Sequence, residues 1–365
     1  MRIGVLATEM QRSPTGVGRY LRGLLGHVGD ERPDWKWVLY FQDEPFEDPL
    51  FDHACFEPVF CGLPDVHPVL FEQFRLPRSL RDLDVFFSPA YSLPRGLECP
   101  SLVAIHDLSF EVLPEEFGFK ERWRRRWLAR RAVRSARRVL TISPLVTRQL
   151  QEMYAVDAGK ISELPLAVDE DLTKAVGRPP EEEIGGPFAL FAGSILARRR
   201  LDVVLESFGV LMSERPELKL VLAGANRLRN SGQLGRWIES FGVTERVVEL
   251  GWVKDSALIW LLRNAELSFY LSTYEGYGLP PMESLAVGTP VVVSPGLALD
   301  HLWPDYPYRC RSIAVDEVVR VSRRILTDSE ERERVIGKGR ALIASLSWKR
   351  SAELFVKEIE KAAAS

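Results

Sequence analysis

The sequence predicts an α/β protein built from two doubly wound, Rossmann-like parallel-sheet domains facing each other across a cleft. Three observations carry this reading. Short apolar runs recur without strict alternation, as in strands buried on both faces. Amphipathic segments separate them, and a Gly-, Pro- and Glu-rich interruption at 173–187 divides the series in two. The length of 365 residues agrees, because a single core stops growing near about 250 to 300 residues.

The first strand is expected at 2–7, followed by a Gly-containing loop and an amphipathic stretch from Val17 to Leu25. Further strands are expected at 37–41, 85–88, 102–105 and 138–142. The interruption gathers Gly177, Pro179, Pro180, three consecutive glutamates, Gly185, Gly186 and Pro187. Beyond it strands at 188–192, 218–223, 247–250, 267–271 and 290–293 alternate with helices at 201–215, 234–241, 257–264 and 280–287, the last closed by Gly288. These patterns give domains at 1–175 and 188–345, a linker at 176–187, and a C-terminal segment 346–365 whose helix, about 348–363, can cross back to the N-terminal domain.

With 48 basic and 51 acidic side chains and 46% hydrophobic residues, the chain fits neither a disordered, a collagen-like nor a membrane-spanning class. The near-neutral balance argues against a general nucleic-acid binder. Cys55, Cys61, Cys99 and Cys310 form no C-x-x-C pair, so free buried thiols in a reducing compartment are expected. The opening run Met1 to Ala7 is too short for a signal segment, and a cytoplasmic protein is expected.

The most informative segment is Thr273-Tyr274-Glu275-Gly276-Tyr277-Gly278-Leu279-Pro280-Pro281-Met282-Glu283-Ser284, between an expected strand and an expected helix. Gly276 and Gly278 let the backbone turn tightly beside a ligand, and Pro280 and Pro281 suit a first helical turn that needs no backbone donors. A helix N-terminus favours an anion such as a diphosphate. Glu283, read as a first-turn residue, can accept two hydrogen bonds from a vicinal diol, and Glu275 can accept from another hydroxyl.

Glu275 and Glu283, with seven residues between them inside Y-E-G-Y-G-L-P-P-M-E-S-L-A-V-G-T-P-V-V, resemble the signature of the retaining, GT-B glycosyltransferases of family 4. The resemblance extends through Ser88-Pro89-Ala90-Tyr91, Ile105-His106-Asp107-Leu108-Ser109-Phe110, Leu140-Thr141-Ile142-Ser143, Ala192-Gly193-Ser194 and Leu222-Ala223-Gly224. It implies a GT-B fold with an acceptor-side first domain and a nucleotide-sugar-binding second domain. It also implies metal-independent transfer of a sugar from a nucleotide diphosphate donor with retention, no resident cofactor being expected.

Residue by residue, the resemblance implies that Arg198 and Arg199 clamp the donor diphosphate, arginine standing at the second position where the family usually has lysine. Glu283 resembles the ribose binder and Glu275 the carboxylate on the donor sugar, with the amides of Tyr277 to Leu279 alongside. His106 and Asp107, at an expected strand end facing the cleft, resemble the pair near donor sugar and acceptor. Gly16-Val17-Gly18-Arg19 resembles the loop approaching the donor phosphate and acceptor, with Arg19 set to meet an acceptor phosphate; Leu21 excludes a G-x-G-x-x-G dinucleotide fingerprint. Gly193 and Gly224 fall at donor-side turns, and backbone groups at Trp252 and Val253 are expected to read the base. A covalent two-step mechanism needs a nucleophile that the sequence does not place; the family alternative is same-face attack, the departing phosphate taking the acceptor proton.

The sequence departs from the family where the common I-P-N-G-V-D reads Leu164-Pro165-Leu166-Ala167-Val168-Asp169, and where the usual Pro-Glu segment becomes a stretch containing Asp300, His301, Trp303 and Tyr306. Residues 120–138 hold ten basic side chains against Glu121 alone, leaving 38 basic and 50 acidic side chains elsewhere. At helical spacing Leu128, Ala129, Ala132, Val133, Ala136 and Val139 share one face, opposite Trp123, Trp127, Arg130, Arg131, Arg134 and Arg138. That arrangement suits either a solvated face or an anionic membrane surface. The expected function is elongation of a surface glycan on a glycan or lipid-linked acceptor, from GDP-mannose by resemblance to mannosyltransferase-like members. The alternative is a non-catalytic sugar-nucleotide sensor or assembly subunit on the same fold.

Overall fold

The computed structural model describes residues 1–11 and 16–364. The chain divides into two compact units, Met1–Ala167 with Ser347–Ser365, and Val168–Leu346.

The first unit is built on seven strands: β1 (Arg2–Leu6), β2 (Lys36–Phe41), β3 (Phe56–Phe60), β4 (Val85–Ser88), β5 (Ser101–Ile105), β6 (Arg138–Thr141) and β7 (Ile161–Glu163). Every pairing is parallel, in the order β3-β2-β1-β4-β5-β6-β7. The central β4 and β5 are buried at every position, which explains why they are apolar apart from Ser88 and Ser101 at their ends. β3 and β7, not anticipated from sequence, are the two edges; Pro58 is tolerated in β3 because an edge strand has no second neighbour to receive its missing N–H.

The helix Trp348–Ala363 packs on this unit. The Phe355 ring lies 6.0 Å from that of Trp37 and 4.7 Å from that of Phe87. Arg138 Nε meets Glu358 Oε2 at 2.6 Å, and Ser351 Oγ donates to the Pro165 carbonyl at 2.6 Å. A Cβ on Gly23, in the helix Gly16–Glu31, would lie 2.3 Å from the Trp348 ring, so that close approach requires glycine.

The second unit carries β8 (Phe188–Ala192), β9 (Lys219–Ala223), β10 (Val247–Gly251), β11 (Leu267–Tyr270) and β12 (Val291–Val293), all parallel in the order β10-β9-β8-β11-β12. Both sheets reverse winding direction beside their first strand, between β1 and β4 and between β8 and β11. The helices Val315–Thr327 and Ser329–Ala344, also not anticipated, complete this unit.

Three expectations change. The division falls between Ala167 and Val168 rather than at 176–187. The Gly- and Pro-rich stretch is tied to the second unit: Arg263 donates to the carbonyls of Thr173 and Ala175, and Arg178 N to that of Ser256. The basic helix runs from Phe119 to Ser135, so Val139 and Arg138 leave the helical face for β6, where Arg138 meets Glu358. Arg130 is also not free to project: it lies 3.5 Å from Glu111, which Arg126 approaches at 2.9 Å. Finally, the cysteines are free, but only Cys55 and Cys310 are buried.

Candidate active site

The β8 and β11 ends meet at the reversal of the second sheet, where doubly wound folds place ligands. After β8 the chain passes Gly193 at φ +109° and makes a short helical turn, Ala197–Arg199, that presents two guanidiniums. After β11 the loop from Leu271 carries Glu275 back toward them, held by the Thr273 amide donating to the Arg198 carbonyl at 2.9 Å. Glu275 Oε1 lies 3.3 Å from Arg199 Nε and 3.6 Å from Arg198 Nε. Ser272 Oγ donates to the same oxygen at 3.3 Å.

Arg199 is further fixed by Tyr270, whose ring lies 5.0 Å below the guanidinium and whose hydroxyl accepts from Nη2 at 3.3 Å. Burial opposes the arginine charge, but Tyr270 and Glu275 hold its pKa above the ordinary value. Burial, reinforced by Glu275, pushes the Tyr270 phenol upward, so it stays protonated. Arg200, the third of the run, turns away at φ +45° and pairs with Asp202 at 2.9 Å. Sequence reasoning missed Tyr270 and Ser272; Tyr270 closes a strand and therefore stands at the functional end.

Two glycines have structural reasons beside any ligand role. A Cβ on Gly224 would come within 2.0 Å of the Gly193 carbonyl oxygen, so the exits of β9 and β8 cross at a distance only glycine allows. Gly276, Tyr277 and Gly278 lead into the helix Leu279–Val287, which Gly278 enters at φ +90° with prolines in its first turn. Because that helix begins at Leu279, Glu283 is its fifth residue, one turn beyond the expected first-turn place, and is 7% exposed. The helix end therefore does not act on Glu283 as a first-turn carboxylate, since that influence fades within a turn.

Trp252 is 61% exposed and, with Val253, follows Gly251 at the end of β10, the outer strand two places from β8. The atypical segment is engaged locally: Asp300 accepts from Gly296 N at 2.7 Å and pairs with Arg309 at 3.1 Å, while the Tyr306 hydroxyl donates to the Val291 carbonyl at 2.9 Å.

In the first unit, His106 follows β5 and is buried, its Nε2 2.7 Å from the Pro89 carbonyl and its ring 4.8 Å edge-on to Tyr20. A carbonyl only accepts, so Nε2 carries the proton and Nδ1 is left as acceptor. Burial lowers the His106 pKa, against the opposing pull of Pro89 and Asp107, and the ring is neutral at pH 7. Asp107 Oδ1 accepts from Ser109 N at 2.8 Å, starting the helical turn Ser109–Val112. Gly16, Gly18 and Arg19 lie in the first turn of the helix Gly16–Glu31 rather than in a loop. Among the described residues no three His, Cys, Asp or Glu side chains converge as metal ligands, and no helix is long and apolar enough to cross a membrane.

Residues 14–172 match the family model Glycosyltransferase Family 4, and residues 177–342 match Glycosyl transferases group 1. The chain is 26% identical to the O-antigen chain mannosyltransferase B of Escherichia coli over 94% of its own length and 96% of that relative. It is 29% identical to the MMP alpha-(1->4)-mannosyltransferase of Mycolicibacterium hassiacum, over 66% of this chain and 59% of that one. The fold matches WaaG, a glycosyltransferase involved in lipopolysaccharide biosynthesis, with a TM-score of 0.75 at 18% identity over 98% of this chain and 99% of that one. It also matches Anabaena HepE in complex with UDP and glucose, with a TM-score of 0.72 at 15% identity over 99% of this chain and all of the other. The tandem family matches, the two parallel sheets and the Arg–Glu constellation at the second reversal agree: the chain belongs to the GT-B glycosyltransferases of the group 1, family 4 type.

Proposed function

We propose that this glycosyltransferase moves a sugar, with retention and without a bound metal, from a nucleotide diphosphate donor to a glycan or lipid-linked acceptor in surface polysaccharide synthesis. GDP-mannose is the preferred donor, on the strength of the mannosyltransferase relatives. The observation that carries the reading is the Arg198–Arg199–Glu275 cluster. Two guanidiniums against one carboxylate leave a net positive charge on side chains 17%, 13% and 12% exposed, where water screens weakly. Both forks bind the diphosphate and stabilise the charge that grows on it as it leaves.

The acceptor oxygen bonds to the anomeric carbon on the face the phosphate leaves, the carbon–phosphate-oxygen bond breaks, and the phosphate oxygen takes the acceptor proton. Glu283 accepts from the ribose diol, and Glu275 from a donor-sugar hydroxyl. The backbone at Gly193, Gly224 and Gly276 to Leu279 lies along the donor, Trp252 and Val253 along its base. Neutral His106 accepts a hydroxyl at Nδ1, with Asp107 beside it; Gly16 and Gly18 approach the donor phosphate, and Arg19 meets an acceptor phosphate.

The partner surface is an anionic membrane. Phe119, Trp123 and Trp127, four residues apart on the helix Phe119–Ser135, are 83%, 62% and 40% exposed. Leu70 and Phe74 join them, Arg95 lying 5.4 Å over the Phe74 ring and 5.5 Å over that of Trp127. Aromatic rings flanked by Lys120, Arg95 and Arg131 suit a headgroup layer. The protein is thus a cytoplasmic enzyme, peripheral on the inner face.

The test is a panel of nucleotide sugars offered to the purified protein with and without EDTA. The expected result is nucleoside diphosphate release from GDP-mannose, unaffected by EDTA, and a product with the donor's anomeric configuration by proton NMR. Donor binding without turnover on any acceptor supports a sensor instead, and absence of any binding overturns the reading.

A further inference from the structure

The cations carried past the end of the aromatic helix converge on a cavity of about 940 Å³ in the first unit. Its walls are the loop 94–101, the helix end at Arg134 and Ser135, the start of β6, the turn before β7, and Lys361. It therefore lies at the strand N-terminal edge of the sheet, the opposite edge from His106.

Arg131, Arg134, Arg137, Arg138, Lys160 and Lys361 line this cavity, with Asp157 as the one carboxylate in its wall. Arg138 and Lys361 share Glu358, at 2.6 Å each, which offsets one of their two charges. Of the other four, Arg131 faces the buried carboxyl of Glu72, while Arg134, Arg137 and Lys160 have no carboxylate partner among the described residues. Arg131 Nη2 donates to Gln73 Oε1 at 2.6 Å and to the Leu93 carbonyl, and Lys160 Nζ to the Arg134 carbonyl at 3.0 Å. These neutral acceptors satisfy hydrogen bonds without offsetting charge. Asp157 is turned to its own chain, accepting from Gly159 N at 3.1 Å. Burial, and after it the nearby Arg137, lower the Lys160 pKa.

We propose that this cavity binds a phosphate ester. The arginine forks match phosphate oxygens, and the volume lies within the range of ligand-sized pockets. Arg131 also gives the site a direction: its guanidinium lies 5.5 Å over the Trp127 ring, so the charged cavity opens beside the exposed aromatic stripe. An ester carrying an acyl tail places its phosphate among the arginines and its tail along Trp127 and Trp123. The inference deepens the membrane reading and is independent of sugar transfer.

The test compares wild type, the double variant Arg134→Gln with Arg137→Gln, and Trp123→Ala. Both arginine side chains are exposed and lack hydrogen-bond partners among the described residues, so the double variant keeps the fold. Titrations use glycerol phosphate, dihexanoyl phosphatidic acid, a short RNA, and vesicles of phosphatidylglycerol in phosphatidylcholine. The double variant is expected to bind phosphatidic acid at least about tenfold more weakly than wild type, with donor binding unchanged. Equal glycerol phosphate and phosphatidic acid affinities, both lost in the double variant, identify a free phosphate ligand; phosphatidic acid binding alone identifies a lipid headgroup. Undiminished binding in the double variant, or preference for RNA over every phosphate ester, overturns the proposal. Vesicle binding lost in Trp123→Ala but intact in the double variant overturns the cavity and leaves the membrane reading standing.

Discussion

The two sheets are wound alike, yet their clusters of positive charge stand at opposite ends of their strands. In the second unit Arg198 and Arg199 follow β8 at the strand C-terminal edge and share Glu275. In the first, Arg131, Arg134 and Arg137 gather at the strand N-terminal edge, where Glu72 faces Arg131 but neither Arg134 nor Arg137 has a carboxylate partner among the described residues. The C-terminal position follows from the fold, because the winding reversal opens a crevice there in any doubly wound sheet. The N-terminal position does not, so its charge is a property of this sequence. The carboxylate also matters: Glu275 and Tyr270 hold the guanidiniums in one place, as transition-state stabilisation requires, whereas Arg134 and Arg137 are exposed.

The sharpest way to break this comparison is Arg199→Ala. Loss of one pre-positioned cation is expected to lower kcat by about 10² to 10³, with Arg199→Lys recovering part because lysine keeps the charge but not the fork. Steady-state kinetics with unchanged kcat would remove the chemistry from this edge. Next is Gly224→Ala, whose Cβ meets the Gly193 carbonyl at 2.0 Å. It is expected to cost about 1 to 3 kcal/mol in urea unfolding, whereas Gly235→Ala, with open space at its Cβ, stabilises its helix by about 0.5 to 1 kcal/mol.

His106 gives a pH-dependent effect. Its pKa is depressed in the folded protein, so below the ordinary value near 6.5 the unfolded chain binds more protons. This contribution to stability is complete at pH 7 and is lost as the pH falls toward the folded-state pKa, at up to about 1.4 kcal/mol per pH unit. His106→Gln should flatten the wild-type loss between neutral and acid pH in denaturant titrations; an identical slope would show that the burial of His106 does not govern it. The smallest effect is expected at the opposite edge, where Arg134→Gln and Arg137→Gln each change stability by no more than about 0.5 kcal/mol. A fall in turnover on a soluble acceptor would tie that edge to the chemistry and erase the distinction.

How far the sequence could be read depended on burial. The runs at 85–88 and 188–192 coincide with β4 and β8 because strands covered on both faces are almost wholly apolar, Ser88 being the exception. β3 and β7 lacked that mark, being edges with mostly part-exposed positions. The basic helix was legible as a helix but not in its end: the apolar spacing continues through Ala136 and Val139, whereas the backbone leaves the helix at Ala136 and joins β5 through Arg137 N to the Ser101 carbonyl. Glu275 was legible from local motif chemistry and Arg198 and Arg199 only through the family resemblance, while Tyr270 and Ser272 looked like ordinary strand-end residues.

The sequence alone determined the two βα series, the Gly-Pro loop with its two glutamates, and the excess of cations in 120–138, since each is written in local spacing and composition. Only the tertiary structure decided where those charges act. It turned Arg126 and Arg130 to Glu111, gave Arg138 and Lys361 to Glu358, moved Glu283 one turn into its helix, and left Arg134 and Arg137 at a cavity. The physical reason is that charge compensation depends on distances of a few ångströms between residues far apart in the chain, which neither periodicity nor composition encodes.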